Sequence, residues 1–300
     1  MERIDLSSVD IYNQLFGFKT FHPLVAVVDL TKATKAVEHV QIHYGLYALF
    51  LKGGKECDIQ YGRRAYDYQE GTLVSFAPGQ VAEINMLKDD LHPKVYGLLF
   101  HPDLIRGTVL GQHIGDYSFF SYFSSEALHL SQSEREVVMD SLHKIQEELI
   151  RPQDKQSKQL ILMNIDLLLN YCLRFYERQF DIRELSNKDV LQKFEKLLDD
   201  YLSSHLPQKL GVPTVAYFAD KVFLSSNYFG DLVKKETGRS AQEYIQFKII
   251  EKAKDLIAGT DLTISEIAYI LGFSYPQHLG RLFKRYTGMT PRTYRLRSIS

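Results

Sequence analysis

The pattern of apolar and polar positions divides the chain into two parts. Up to about residue 105, apolar runs such as IHYGLYALFL, CDIQYG, TLVSFAP, VAEINML and VYGLLF alternate with glycine and proline turns. Beyond Ser131, apolar residues recur every three or four positions. Short runs between turns are typical of strands, and the longer period is typical of helices. The sequence therefore predicts an α+β protein with an N-terminal barrel or jelly roll followed by helices.

Two helices are predicted directly after the β-rich part. Ser131 and Glu134 have the spacing of a capping box, and Pro152 ends the helix that they begin. The next helix, over residues 155–178, carries an apolar stripe wider than one neighbour would cover. Four of its residues are candidates for a dimer interface: Leu160, Leu167, Leu168 and Tyr171. Packing of the same stripe on the barrel is the alternative.

The clearest pattern in the helical part is a repeat. Residues 214–238, TVAYFADKVFLSSNYFGDLVKKETG, are matched about fifty residues later by residues 263–288, TISEIAYILGFSYPQHLGRLFKRYTG. Each copy predicts a short apolar helix, a turn and a basic helix that closes in Thr-Gly. A single helix-turn-helix pattern is a weak indication, but a duplicated one is strong.

The second copy contains the signals that begin and end helices. Thr263 and Glu266 form a predicted capping box, and Gly272 stands where a left-handed residue can end the first helix. Ser274 is the predicted cap of the second helix, and Pro276 falls in its first turn, where a missing N–H does no harm.

One face of that second helix is basic and rich in hydrogen-bonding groups. Gln277, Arg281 and Lys284 have the spacing i, i+4, i+7, with His278 and Arg285 beside them. A helix fits the major groove of DNA, where Gln can pair with adenine and Arg with guanine through two bonds each. We therefore predict that Gln277, His278 and Arg281 read bases and that Lys284 and Arg285 contact phosphates. A merely solvated helix face is the alternative.

The first copy presents a different face on the same scaffold. Asn227 and Asp231 are its candidate base-reading residues, and Lys234 and Lys235 are its candidate phosphate contacts. A carboxylate can accept a bond from cytosine but repels phosphate, so the first unit is expected to read fewer bases. Asn227 could instead cap the helix.

Charge is distributed unevenly along the chain. Residues 207–300 contain 14 Lys and Arg against 8 Asp and Glu, although the whole chain has a net charge of −1. No acidic residue occurs from Arg281 to the end, as a phosphate-facing surface requires. Arg292 and Arg295 in this stretch are further predicted phosphate contacts.

Residues 187–297 resemble the DNA-binding domain of AraC/XylS-type transcriptional regulators. That family joins two helix-turn-helix units by one long helix, and SAQEYIQFKIIEKAKDLIAG, with a capping box at Ser240 and Glu243, has the right length and period. The closing TGMTPRTYR also resembles the family. The chain departs from the family pattern at Phe223, where glycine is usual, at Asp231, where a basic or large polar residue is frequent, and at Ile249, where arginine is frequent.

A second resemblance concerns the β-rich part. YDYQEGTLVSFAPGQ resembles the cupin-like sensor domains of the same regulators. The two resemblances imply a sensor or dimerisation domain at residues 1–180 and a DNA-binding domain at 191–300. The polar stretch DIRELSNKD, bounded by aromatic residues, predicts a linker at 181–190 between them. Tyr44, Tyr47, Arg63 and Tyr66 are candidates for an effector pocket, although aromatic residues of a barrel more often belong to its core.

Neither a metal site nor another cofactor is predicted. Cupins often carry histidine ligands, but His39 and His43 lie four residues apart and no His-x-His with a following Glu appears. Cys57 and Cys172 are isolated, which favours buried thiols over a disulfide. Catalysis is not expected; the alternative is a cupin-type metal-dependent enzyme with a nucleic-acid-binding appendage.

The sequence thus favours a bacterial, cytoplasmic transcriptional regulator. Its expected partners are double-stranded promoter DNA, a small-molecule effector, a second copy in a homodimer, and RNA polymerase. No membrane association is expected, because the chain has neither a long apolar run nor the layout of a secretory signal.

Overall fold

The computed structural model describes residues 2–35, 37, 39–53, 57–60, 71–86, 93–123, 126–182 and 184–298. The chain forms two compact units, residues 1–182 and residues 183–300. Arg63 and Tyr66, two of the predicted pocket residues, lie outside the described residues. Among the described helices, none combines the length and the apolar character needed to cross a membrane.

The first unit contains two β-sheets. Its described strands are β1 (Glu2–Leu6), β2 (Val25–Asp29), β3 (His39–Tyr44), β4 (Tyr47–Lys52), β5 (Cys57–Gln60), β6 (Thr72–Phe76), β7 (Val81–Met86), β8 (Val95–Phe100) and β9 (Leu128–His129). One sheet has the order β1-β3-β7-β5, and the other has the order β2-β8-β4-β6-β9. β1 runs parallel to β3, with Ile4 opposite Ile42, and the other described pairs are antiparallel.

The core of the first unit lies between the two sheets. Because side chains alternate along a strand, each sheet turns one set of apolar residues inward. Ile42 of β3 contributes from one sheet, and Phe50 of β4 and Leu99 of β8 contribute from the other. The predicted α+β class, with a β-rich N-terminal part, is confirmed. The cupin resemblance stays a prediction.

Five α-helices are described in the first unit: α1 (Val9–Phe16), α2 (Pro102–Ile105), α3 (Val109–His113), α4 (Gln132–Ile150) and α5 (Ser157–Ile182). The predicted capping box of Ser131 and Glu134 is present at the start of α4. α5 is anchored to the strands by Arg178, which donates at 2.6 Å to the carbonyl of His129 and pairs at 2.7 Å with Glu134.

The second unit is entirely helical among its described residues. Its helices are α6 (Glu184–Ser203), α7 (Leu206–Leu210), α8 (Val215–Val222), α9 (Ser226–Thr237), α10 (Ala241–Gly259), α11 (Ile264–Ile270), α12 (Pro276–Thr287) and α13 (Pro291–Ser298). α8 with α9 and α11 with α12 are the two predicted helix-turn-helix units, and α10 is the long helix between them. The predicted capping boxes of α10 and α11 are both present.

α6 was not expected from the sequence. Most of the segment 181–190, predicted as a linker, belongs to this helix, with residue 183 outside the described residues. Phe194 of α6 is fully buried, and its ring centre lies 5.2 Å from that of Phe218, 5.0 Å from that of Phe229 and 5.7 Å from that of Tyr244. α6 is therefore an integral part of the core that supports the first helix-turn-helix.

Candidate nucleic-acid interface

The duplication extends to the backbone geometry that ends α9 and α12. Gly238 and Gly288 follow these helices with φ angles of 72° and 76°. Each donates its N–H at 2.9 Å to the carbonyl of a lysine four residues earlier, Lys234 or Lys284. A left-handed residue at this position is a standard way to end a helix, and glycine adopts it without a steric penalty.

The threonine before each glycine also has the same partners in both copies. The Thr237 hydroxyl donates to the carbonyl of Val233 at 2.7 Å, and the Thr287 hydroxyl donates to that of Phe283 at 2.8 Å. Both hydroxyls also accept from the backbone N–H two residues later, at 3.2 and 3.3 Å. The repeated Thr-Gly pair therefore fixes where both basic helices end.

The two helices begin differently. Ser225 is buried and caps α9 by accepting from the Tyr228 N–H at 3.2 Å. Asn227 lies inside α9, so the capping alternative considered for it is wrong. The predicted cap Ser274 is also wrong: Tyr275 is the N-cap residue of α12, and it makes no capping bond through its side chain. Pro276 does occupy the first turn, as predicted.

The turn in the first unit contains a left-handed phenylalanine. Phe223 has a φ of 65° and is the one residue other than glycine with positive φ in the described part of the chain. A left-handed residue with a Cβ costs about 1–2 kcal/mol. Its ring is 60% exposed, and the Lys193 ammonium lies 5.4 Å from the ring centre. The turn therefore has the left-handed geometry for which glycine is the usual residue.

The exposed face of α12 carries the polar residues predicted from its period. Leu279 and Phe283 are fully buried, whereas Gln277, Arg281 and Lys284 are exposed. Within the described residues, no hydrogen bond or ion pair engages the side chains of these three. His278 and Arg285 are exposed beside them, and the His278 ring packs edge-on against Tyr275 with 5.6 Å between ring centres. The structure thus brings the predicted α12 residues together on one open surface.

The equivalent face of α9 carries an acidic residue where α12 carries an arginine. Asn227 and Lys234 are exposed and occupy the positions of Gln277 and Lys284. Asp231 takes the position of Arg281 and is half-buried. Asp231 and the exposed Lys235 each have an interaction within the protein already. The two faces therefore differ in charge and in how freely their side chains can reach a ligand.

Comparison with known proteins identifies a helix-turn-helix domain in this part of the chain. Residues 218–297 match the model of a helix-turn-helix domain. The "Probable transcriptional regulator LumQ" of Photobacterium leiognathi is 33% identical over 98 residues, which are 33% of this chain and 38% of that protein. The "Uncharacterized HTH-type transcriptional regulator YijO" of Escherichia coli K12 is 28% identical over 154 residues, 51% of this chain and 50% of that protein.

A solved structure is also similar to part of this chain. The C-terminal domain of the two-component response regulator yesN from Fusobacterium nucleatum is 32% identical, with 34% of this chain and 96% of that chain covered and a TM-score of 0.30. On the match over residues 218–297, the C-terminal unit of this chain is an AraC-type helix-turn-helix domain, as the sequence predicts. The chain spans at most about half the length of the curated relatives it matches first.

Two arginines that follow α12 in the AraC-type domain lie in different environments. Arg292 is exposed. Arg295 is half-buried and donates through Nε to the carbonyl of Ile257 at 3.1 Å, so that it ties α13 to the end of α10. Its Nη2 is buried and lacks a hydrogen-bond partner among the described residues. Arg295 therefore uses Nε for a contact within the AraC-type domain, and its phosphate contact stays a prediction.

Long-range bonds hold the AraC-type domain around α10. Tyr286, predicted in the buried stripe of α12, is half-buried, and its hydroxyl lies 3.2 Å from the carbonyl of Glu243. The Tyr244 hydroxyl donates to the carboxylate of Glu195 in α6. Burial, followed by the bond to Glu195, raises the pKa of Tyr244 above its usual value. Such bonds between distant positions could not be read from helical periodicity.

Among the described residues, the two tyrosines predicted to line an effector pocket, Tyr44 and Tyr47, have different surroundings. Tyr44 is buried in the core and stacks on Phe76 with 4.5 Å between ring centres, and burial raises its pKa. Tyr47 is half-buried, with its ring centre 5.0 Å from those of both Phe100 and Phe120. Tyr44 and Tyr47 belong to different sheets, which separates their surroundings.

A cleft of about 110 Å³ lies beside β2, the edge strand of the five-stranded sheet. Its lining includes Asn13, Phe18 and Asp29, together with Gln146 and Leu149 of α4. Burial tends to raise the pKa of the Asp29 carboxyl, but hydrogen bonds from neighbouring side chains and backbone outweigh it and hold this pKa below its ordinary value. The cleft therefore combines apolar walls with an ionised carboxylate.

The stripe predicted for dimerisation is divided by the fold. Leu168 is fully buried within the first unit, so it cannot contribute to an exposed interface. Leu160 and Leu167 are 44% and 46% exposed, and Met163 between them is 59% exposed. Tyr171 is half-buried and stacks on Phe175. α5 therefore has an inward apolar row that packs within the first unit and an outward row, Leu160, Met163 and Leu167, that is exposed.

The described residues contain no group of three or more His, Cys, Asp and Glu side chains that could hold a metal ion. His43 contacts Gln41 and Arg3, whereas the side chains of His39 and Cys57 lie outside the described part. Cys172 is a buried free thiol, as predicted, and burial raises its pKa to about 12.

Proposed function

We propose that this protein is a transcriptional regulator that binds specific sequences of double-stranded DNA through its AraC-type domain. The observation that carries the proposal is the pair of matching helices, α9 and α12, with equivalent polar positions on their exposed faces. We refer to them as the recognition helices. Two such helices can enter successive major grooves about one helical turn apart. This role requires no catalytic step.

In this proposal, α12 supplies most of the sequence specificity. Arg281 can bond a guanine and Gln277 an adenine through two hydrogen bonds each, and His278 lies beside them. Lys284 and Arg285 contact phosphates, which positions the helix without reading sequence. The absence of acidic residues from Arg281 onward supports this assignment, because no carboxylate there repels the DNA backbone.

In this proposal, the first helix-turn-helix unit supplies less of the sequence specificity. Asn227 is an exposed amide that can read a base, and Lys234 and Lys235 are placed for phosphates. Asp231 can accept a bond only from a donor such as the cytosine amino group. Its half-burial and its existing interaction within the protein further reduce its reach.

Two substitutions in α12 test this division of roles. Arg281→Ala should weaken binding by about 1–3 kcal/mol and relax the preference at one base position. Lys284→Ala should weaken binding to all sequences alike and lower the salt dependence of binding by about one phosphate contact. Affinities are measured at two salt concentrations on a panel of duplexes with single base changes. Identical behaviour of the two variants would refute the assignment.

We also propose that the outward row of α5 joins two copies of the chain. Leu160, Met163 and Leu167 lie three to four residues apart, which places them on one face of the helix, and all three are exposed. A homodimer with this row at its two-fold axis would bury the same surface on both subunits.

Leu167→Glu tests the dimer without touching the core, because Leu167 is already exposed whereas Leu168 is not. Gln132→Glu is the matched control, since it adds the same charge at a polar, exposed position of α4, near the end of α5 that is far from this row. Mass in solution should halve for Leu167→Glu only. A mass that is unaltered by Leu167→Glu would exclude this interface.

Control by a small-molecule effector is a further part of the proposal, and the cleft beside β2 is its proposed site. Asp29 and Lys32 both line this cleft and pair at 3.1 Å, so that charged groups next to apolar walls favour a ligand with a polar and an apolar part. Val27 is half-buried and lines the cleft, so that Val27→Phe should fill it. Compounds that raise the melting temperature of the wild type but not of Val27→Phe would support the site. Regulation of a promoter would bring RNA polymerase as another partner.

A further inference from the structure

Gly230 and Gly280 occupy equivalent positions in the middle of the recognition helices. They lie fifty residues apart, each directly after a fully buried residue, Phe229 or Leu279. Neither has a positive φ, so the backbone conformation does not require glycine at either position.

Packing inside the protein does not require these glycines either. An added Cβ at Gly230 or at Gly280 would meet no described heavy atom within 4 Å. Glycine in a helix interior is less stable than alanine, because it loses more backbone freedom on folding. The protein therefore accepts the same unfavourable residue at the same place in both helices, although its own structure leaves room for a side chain.

The surrounding residues indicate what the free space faces. In α12, Gly280 and Arg281 follow Gln277 by three and four residues, so Gln277 has the glycine on one side of it and Arg281 on the other. In α9, Gly230 and Asp231 are placed in the same way around Asn227. Both glycines are half-buried and lie at the border of the exposed polar faces.

We propose that Gly230 and Gly280 are the points of closest approach between the recognition helices and DNA, where bare backbone lies against the floor of the major groove. This inference rests on the proposed function. Glycine is the residue that permits close approach of a backbone to a ligand. With no Cβ at these points, each helix lies deeper in the groove, and the neighbouring side chains reach the base edges at hydrogen-bonding distance. The two glycines are positioning residues in this role.

Alanine substitutions test the inference because they are expected to stabilise the free protein. Gly230→Ala and Gly280→Ala are compared with Gly259→Ala in the full chain. Gly259 is the last residue of α10, is exposed, and has no described atom within 4 Å of an added Cβ. The control therefore makes the same change in a helix without altering a recognition face. The probe is the duplex that the wild-type protein enriches most from a random 30-base-pair library.

All three variants should unfold at a higher urea concentration than the wild type, because alanine favours the helix. The dissociation constant for the enriched duplex should nevertheless rise between about fivefold and about 150-fold for Gly230→Ala and Gly280→Ala, which corresponds to the loss of one two-bond base contact. The larger rise is expected for Gly280→Ala, because Gln277 and Arg281 lie beside it. Gly259→Ala should bind like the wild type.

Unchanged or tighter binding by Gly230→Ala and Gly280→Ala would overturn the inference. Tighter binding would mean that the new methyl group makes a contact of its own, as alanine does with the thymine methyl. If the wild type enriches a duplex and these variants bind it equally well, the proposed function stands and only the inference falls. If the wild type enriches no duplex, the proposed function fails and the inference fails with it.

Discussion

Substitution of Gly272 tests whether the turn between α11 and α12 is built against α7. Gly272 has a φ of +86°, and a Cβ on it would lie 2.5 Å from the carbonyl carbon of Gly211 and 2.8 Å from the carbonyl oxygen of Pro207. These neighbours are backbone atoms, which cannot move aside as a flexible side chain can. Gly272→Ala must therefore displace either the turn or the end of α7.

Gly288 provides the matched control. Its φ is +76°, but an added Cβ would meet nothing within 4 Å. Left-handed strain destabilises an L-residue by about 1–2 kcal/mol. Alanine loses less backbone entropy on folding than glycine, which offsets about 0.5–1 kcal/mol of that strain. Gly288→Ala should therefore cost about 0–1.5 kcal/mol. Gly272→Ala carries the same cost and in addition the cost of overpacking, about 1–3 kcal/mol.

Urea unfolding of the full chain, followed by circular dichroism, measures both effects. The sequence contains no tryptophan, so the helical signal is the more direct probe. The transition of the helical unit should shift to lower urea for both variants, and by at least about 1 kcal/mol more for Gly272→Ala. Equal shifts would show that the turn and α7 are not in contact, which would refute the reasoning.

Three further predictions follow from the described contacts. Phe194→Ala should destabilise the helical unit by about 3–5 kcal/mol in urea unfolding, because it leaves a cavity among the surrounding aromatic rings. Lys196→Ala, on the exposed side of α6, is the control and should change the stability little. Bonds from Ser240 and Thr263 lower the pKa of Glu243 and Glu266, so the stability they confer is complete above the unfolded carboxyl pKa and is lost as pH falls through the folded pKa. Glu243→Gln with Glu266→Gln should remove that part of the pH dependence in acid titrations, because glutamine caps without titrating. Elemental analysis of the purified protein should find no stoichiometric metal, and one ion per chain would favour the enzyme alternative.

Local signals explain why much of the helical unit could be predicted. Capping boxes such as Thr263 with Glu266 and closing pairs such as Thr287 with Gly288 act within a few residues, so their spacing alone predicts where helices begin or end. The cap of α12 was mispredicted because Ser274 and Tyr275 are adjacent, and only the backbone path decides which of them precedes the first helical turn. The polar face of α12 followed from period alone.

Other features depend on packing between residues that are far apart in the sequence, and these could not be predicted. The segment before Phe194 looked like a polar linker, although Phe194, Leu198 and Tyr201 have helical spacing and are all buried. Tyr44 is buried because it stacks on Phe76 of the other sheet, and the sequence around Tyr44 does not indicate this contact. These contacts join positions far apart in the sequence, and a one-dimensional period says nothing about them.

The wide apolar stripe of α5 shows the same limit. Periodicity placed Leu167 and Leu168 in one set, but neighbouring residues on a helix point about 100° apart. Packing on the first unit buries Leu168 and leaves Leu167 exposed. The sequence could indicate that the stripe was too wide for one neighbour, but not which edge of it the protein covers.

Sequence-specific binding is the central claim, and a ratio of two affinities tests it most directly. The 300-residue chain is titrated, at one physiological salt concentration, with its enriched duplex and with a duplex of the same composition in scrambled order. A specific regulator should bind the enriched duplex about 10³-fold more tightly or better. A ratio near one at that salt concentration would mean that the basic surface around Arg281 and Lys284 holds phosphates without reading bases, and it would contradict the account.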